Sequence, residues 1–128
     1  MAKDKEKDKK KKKKEDKLKL PKKKDVEKQI KRVSKKYSTE SYLYELMEEL
    51  SELIQAANKY RRAITKKDDM KKTTLSKKKA KLKLIEEIAD VERMIFIIKF
   101  KLNISDKEID DEIKGKTIRN SLRQKEGK

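Results

Sequence analysis

The sequence predicts an all-α protein, a small helical bundle that completes its core by oligomerising. Apolar residues recur at helical spacing over two long stretches, neither strand alternation nor hairpin signals occur, and a capping box opens a final helix. Hydrophobic residues make up 33% and charged residues 51% of the 128 residues, so one chain has little apolar surface from which to build a core alone. Partner chains supply the missing contacts in this reading.

Residues 1–24 form a low-complexity segment with six consecutive lysines at Lys9–Lys14. Such a segment cannot bury enough apolar surface to offset its ordering entropy, so a disordered tail is expected there, followed by a helical domain over 25–128. The segment holds 14 lysines against 5 acids, about half of the net charge of +17. A solubilising tail is the plainest role, and non-specific contact with nucleic-acid phosphates is the alternative, since counterion release needs only positive charge. Aromatic residues are missing from the segment, which argues against base stacking. No apolar run is long enough for a membrane span, and no apolar stretch follows the N-terminal charges as in a signal peptide, so a cytoplasmic protein is expected.

From Asp25 the pattern turns helical. Val26, Ile30, Val33 and Tyr37 fall at i, i+4, i+7 and i+11 and predict a short amphipathic helix. Ser38 or Ser41 caps a second helix running to about Arg62, with Leu43, Leu46, Met47, Leu50, Leu53, Ile54 and Ala57 as its apolar stripe. Residues 63–79 are polar and lysine-rich and read as a long loop with helical ends. A third helix spans about Ala80 to Leu102 and is the most apolar element. A turn at Asn103 follows, and Ser105 with Glu108 forms the capping box of a final helix to about Arg123.

Cysteine and histidine are both absent, which removes thiolate sites, the commonest zinc ligand and the commonest general base. Any metal must be held by oxygen, which favours Mg²⁺ or Mn²⁺. The second helix carries Glu45, Glu48, Glu49 and Glu52 within an arc of roughly 100° opposite the leucine stripe. A solvated acidic face is the plain reading of such a cluster. Against it, residues 43–58 contain no lysine or arginine in a very basic chain, so like charges are concentrated without i,i+4 partners. On the third helix Glu87 and Asp90 share a face whose continuation is Met94, Ile97 and Ile98. These acids sit on or beside the stripe that faces other helices, and a buried carboxylate needs a cation, a proton or a donor. Glu86 and Glu92 lie farther round, as ordinary surface residues. Facing helices of a bundle are established places for carboxylate metal sites.

Glu48–Lys59 (EELSELIQAANK) followed by Glu87–Val91 (EIADV) resembles the MazG-like all-α nucleoside triphosphate pyrophosphohydrolases, in particular their phage-type single-domain branch, whose signature is ExxE or EExxE followed by ExxD. The resemblance covers about residues 38–124 and leaves the lysine tail outside. It departs from much of the family in the 34 residues between Glu52 and Glu87. The resemblance implies Glu49, Glu52, Glu87 and Asp90 as metal ligands, and Glu48 as a further catalytic residue that binds metal or orients a water. It implies Mg²⁺-dependent cleavage of a (deoxy)nucleoside triphosphate between the α and β phosphates, a dimer or tetramer, and hydroxide generated from a metal-acidified water. Phosphate contacts are expected from Lys116, Arg119, Asn120 and Arg123, which share one face of the last helix, and from Lys59. Tyr42 and Tyr44 are candidates for stacking on a base, with helix packing the plainer role. Two readings of other classes stand beside this one: a basic nucleic-acid-binding helical module, and a structural helical oligomer without catalysis.

Overall fold

The structure is a computed structural model that describes residues 20–65 and 70–127, with side chains from residue 76 onward in the second stretch. It holds four helices, α1 (Lys23–Ser34), α2 (Thr39–Thr65), α3 (Met70–Leu102) and α4 (Asp106–Lys125), and no strand among the described residues. The all-α class is therefore observed. The lysine-rich segment expected to form a tail lies, up to residue 19, outside the described residues. Internal contacts divide the chain after Lys35, with α1 in the first unit and α2, α3 and α4 in the second.

In the first unit, α1 starts two residues before the expected Asp25 and stops at Ser34, whose hydroxyl donates to the Lys31 carbonyl at 2.9 Å. Tyr37 lies beyond it, in the second unit.

The second unit is built on the packing of α2 against α3. Ser38 caps α2, its Oγ accepting from the Ser41 amide at 3.1 Å and its carbonyl from the Tyr42 amide. The two helices run antiparallel: the Lys101 ammonium, near the end of α3, donates to the Tyr37 carbonyl at 2.8 Å and lies 5.8 Å from the centre of the Tyr42 ring. Tyr37 and Tyr42 meet edge to face at 6.1 Å. Along α2 the buried and half-buried side chains are Thr39, Tyr42, Leu46, Glu49, Leu53, Ala56, Tyr60 and Ala63. Their spacing alternates between four and three, the heptad pattern of a coiled-coil seam. Ala80, Leu84, Glu87, Val91, Met94, Ile98 and Lys101 repeat it on α3, where Ile97 is also buried.

This seam corrects the expected stripe on α2. Leu46 and Leu53 face α3, but Leu43, Met47, Leu50 and Ile54 lie one residue on from the seam and are exposed, Met47 at 63% and Ile54 at 69%. Glu49 consequently sits in the seam instead of opposite it. A second correction concerns residues 63–79. The segment contains neither glycine nor proline, and 63–65 continue α2 while 70–79 belong to α3; only 66–69 lie outside the described residues. Lysine and leucine are good helix formers, so polarity there does not mark a loop.

Asn103 ends α3 in the left-handed region, with φ 57°. Its amide bonds to the Phe100 carbonyl and the Ile104 amide to the Lys99 carbonyl at 2.8 Å, a Schellman closure with asparagine in the position that glycine usually fills. The expected capping box then opens α4, with the Glu108 amide donating to Ser105 Oγ at 3.1 Å and the Ser105 amide to Glu108 Oε2 at 2.9 Å. An ion pair between Lys99 and Asp106 braces the turn. Beyond it α4 has no buried residue and packs on neither α2 nor α3.

Met94, at 2% exposure, is the largest fully buried side chain of the seam. Met94→Ala is expected to destabilise the protein by about 2–5 kcal/mol through lost contacts and the cavity left behind, measured as a lower midpoint in chemical denaturation.

Candidate metal centre

The seam changes character along its length. Where Tyr42, Val91, Met94 and Ile98 meet, large side chains fill the space between the helices. At the other end Ala56, Ala63 and Ala80 alternate in the seam with Tyr60 and Leu84, and beside the short alanines clefts open between α2 and α3. Glu49 and Glu87 occupy seam positions between these two ends.

Glu49, Glu87 and Asp90 each bring one carboxylate oxygen to within 4.8 Å of the other two. Glu87 is 3% exposed, Glu49 half-buried and Asp90 exposed at the edge. Oε1 of Glu87 pairs with the Lys83 ammonium at 3.0 Å, which also reaches Glu86 at 3.4 Å. Oε2 of Glu87 and Oε2 of Glu49 are buried with no hydrogen-bond partner. Leaving such atoms unsatisfied costs about 1–3 kcal/mol each, and more where they carry charge. Burial pushes the Glu49 carboxyl above the usual carboxylate range, and the charges of Glu52, Asp90 and Glu87, with a hydrogen bond to Glu52, push it further in the same direction.

The donor set fits a hard divalent cation. All three ligand atoms are carboxylate oxygens, and two oxygens on opposite sides of one Mg²⁺ stand about 4.2 Å apart, twice the usual Mg–O distance. Adjacent oxygens on the same ion stand about 3 Å apart, so the three carboxylates, spread over up to 4.8 Å, must draw together on binding. Mg²⁺ also retains waters, so three protein oxygens leave positions for water and phosphate.

Of the other expected acids, Glu52 is exposed, adds its charge to Glu49 and lines a cleft of about 230 Å³ together with Glu87 and Lys83. Glu48 is exposed and stays outside the three-carboxylate cluster. Glu86 and Glu92 are exposed, as expected for surface residues. Tyr42 is a packing residue of the seam, and Tyr44 is exposed.

The basic residues divide in two. Lys59 lines the cleft beside Glu52 and Glu87, and a contiguous cleft of about 350 Å³ adds Arg62 and Lys79. Lys116, Arg119, Asn120 and Arg123 are exposed on α4, away from the α2–α3 clefts within one chain. Sequence reasoning missed Lys83, Arg62 and Lys79. Lys83 stands four residues before Glu87, a pairing distance on any helix, and was legible on that ground. Lys79 was hidden by the assignment of 63–79 to a loop.

The register also sorts chemistry by face. In an antiparallel pair, positions one residue before each seam residue fall on one side of the pair, and positions one residue after it on the other. Glu48, Glu52, Lys59, Arg62, Lys79, Lys83 and Asp90 are all of the first kind, while Leu43, Met47, Leu50, Ile54, Ile85, Ile88 and Ile95 are of the second. One face of the hairpin is ionic and carries the clefts; the opposite one exposes these apolar side chains, with Arg61, Lys81 and Glu92 among them.

Comparison of the chain with models of known protein families, with curated proteins and with solved structures gives no match.

The raised Glu49 carboxyl has a consequence for stability. A carboxyl that holds its proton more tightly when folded favours the native state at pH below its ordinary range, and this contribution is lost as pH rises through the folded value. Metal-free protein is therefore expected to lose melting temperature between mildly acidic and neutral pH more steeply than Glu49→Gln, which has no such proton. Added Mg²⁺ reverses the trend by stabilising the ionised cluster. Parallel pH profiles for the two proteins would refute the coupling.

Proposed function

We propose that the protein is a Mg²⁺-dependent pyrophosphohydrolase that cleaves a (deoxy)nucleoside triphosphate between the α and β phosphates, giving the monophosphate and pyrophosphate. The observation that carries this reading is the buried Glu87 carboxylate, with one oxygen on Lys83 and the other without a partner, converging with Glu49 and Asp90 beside a basic cleft. Acids arranged for solubility belong in water. Acids drawn together in a seam favour a cation, and one positive cleft away is space for anionic phosphates. The MazG-like spacing of the same residues supports the same conclusion.

In this reading Glu49, Glu87 and Asp90 hold Mg²⁺, with Mn²⁺ as a substitute, and Glu52 joins them or acts on a water beside them. When bound, the ion neutralises phosphate charge and acidifies water. Glu52 accepts the proton as the water oxygen bonds to phosphorus, and the bridging P–O bond breaks with its electron pair leaving on pyrophosphate. Lys83 neutralises one oxygen of Glu87 at 3.0 Å and leaves the other to the ion. Glu48, exposed on the same face, orients water at the rim. A chain without histidine needs a carboxylate in the role of base. A nucleic-acid-binding module would give no account of the unpartnered Oε2 of the buried Glu87.

The functional unit is a second copy docked on the apolar face. That face offers heptad-spaced Leu43, Met47, Leu50 and Ile54 on α2 with Ile85, Ile88 and Ile95 on α3, the pattern with which two hairpins make a four-helix bundle. Docking there leaves the ionic face free for substrate. Within such an assembly, Lys116, Arg119, Asn120 and Arg123 on α4 contact phosphates from a neighbouring chain.

Three measurements test these statements. Mg²⁺ at 100 times its dissociation constant is expected to stabilise the wild type by about 2.7 kcal/mol, and to do much less for Asp90→Asn. With Mg²⁺ and a panel of nucleoside triphosphates, Asp90→Asn and Glu52→Gln should lose on the order of 10²-fold or more in turnover while keeping their helicity; wild-type rates in either would refute the assigned site. Light scattering at micromolar concentration should give a dimer or larger, and Leu50→Glu with Ile54→Glu a monomer of lower stability. A monodisperse wild-type monomer would exclude the docked copy.

A further inference from the structure

The cations beside the acid cluster form a track of their own. Lys59 and Lys83 face each other across the cleft that also holds Glu52 and Glu87, and Arg62 and Lys79 continue it away from the acids. Lys83 is tied to Glu86 and Glu87, whereas Lys59, Arg62 and Lys79 form no ion pair among the described residues. Like charges placed together between two helices repel one another, and in this pair no carboxylate beyond Glu52 and Glu87 lines the clefts to offset them. The floor is Ala56, Ala63 and Ala80, whose small side chains leave the space open. An anion is the complement of such a groove. A guanidinium and three ammonium groups suit phosphate oxygens in particular.

The groove is long. At 1.5 Å per residue, Glu52 and Lys59 are about 10 Å apart along α2, and Glu49 and Arg62 about 20 Å. Acids and cations follow each other in one direction along both helices, so an extended anion leaving the acid cluster meets Lys83 and Lys59 first, then Arg62 and Lys79.

We propose that this groove is a binding site for inorganic polyphosphate chains, with Lys59, Arg62, Lys79 and Lys83 as its ligands. The position of the scissile bond rests on the hydrolase reading; the affinity of the groove for a phosphate chain does not. In hydrolysis the groove holds the phosphates beyond that bond, so it selects triphosphates over diphosphates, and it retains the leaving pyrophosphate. Because the cations extend past Lys59 and Lys83, tripolyphosphate binds more tightly than pyrophosphate.

The test is calorimetric titration of the full chain with tripolyphosphate and with pyrophosphate, free of divalent metal and at fixed ionic strength. Lys59→Ala with Lys79→Ala is compared with Lys10→Ala with Lys11→Ala, which removes the same charge from the lysine-rich segment. Losing two charge-assisted contacts should weaken tripolyphosphate binding about tenfold or more in the groove variant, and less than about twofold in the other. Equal losses would overturn the site, because diffuse positive charge would then account for all binding. So would an unchanged affinity in the groove variant. Turnover separates the two readings. A selective binding loss in a protein that hydrolyses no nucleotide supports the groove and rejects the hydrolase. Magnesium-dependent hydrolysis that is lost in Asp90→Asn, in a protein whose groove variant binds tripolyphosphate unchanged, rejects the groove and keeps the hydrolase.

Discussion

The rest of the structure depends on one carboxylate held where a hydrophobic residue would ordinarily stand. Glu87 fills a seam position between α2 and α3, in register with Leu84, Val91, Met94 and Ile98, at 3% exposure. A leucine there would stabilise the pair more simply. The chain instead places a lysine four residues earlier to neutralise one oxygen and leaves the other without a hydrogen-bond partner, in a carboxylate that converges with those of Glu49 and Asp90. Truncating one partner of such an arrangement strands a buried charge, so the seam tolerates Glu87 only while Lys83, a proton on a neighbour or a bound cation offsets it.

The packing around that residue follows from side-chain size. Large apolar residues close the seam on one side of the acids, and alanines leave it open on the other. The closed part fixes the separation and register of the helices, and so the meeting of carboxylates that are almost 40 residues apart in sequence. The open part leaves clefts lined by Lys59, Arg62, Lys79 and Lys83. Rigidity and access are thus supplied by different stretches of the same two helices.

The hairpin also separates two kinds of contact. Its ionic face holds the carboxylate cluster and the basic groove, and its opposite face exposes most of the apolar side chains left outside the seam. A chain with half its residues charged cannot enclose a core, and the exposed isoleucines and leucines are what remains when only two of its helices pack together within the second unit. α4, which buries nothing, extends from this pair through a turn fixed by Asn103, the Ser105–Glu108 box and the Lys99–Asp106 pair.

The sequence by itself determined the helical class, the approximate place of each helix, the closure at Asn103, the capping box and the inward position of Glu87, because these depend on periodicity and on local hydrogen bonds. It left two things undetermined. On α2 two apolar stripes lie side by side, one through Leu46 and Leu53 and one through Leu43, Met47, Leu50 and Ile54, and periodicity cannot rank them. Only the fit against α3 selected the first, which moved Glu49 from the expected outer face into the seam. The lysines of 63–79 favour a helix by propensity but form no apolar stripe that shows which face they present. The alignment of Lys79 and Lys83 opposite Lys59 and Arg62 was decided by tertiary structure, since a groove exists only where two helices meet.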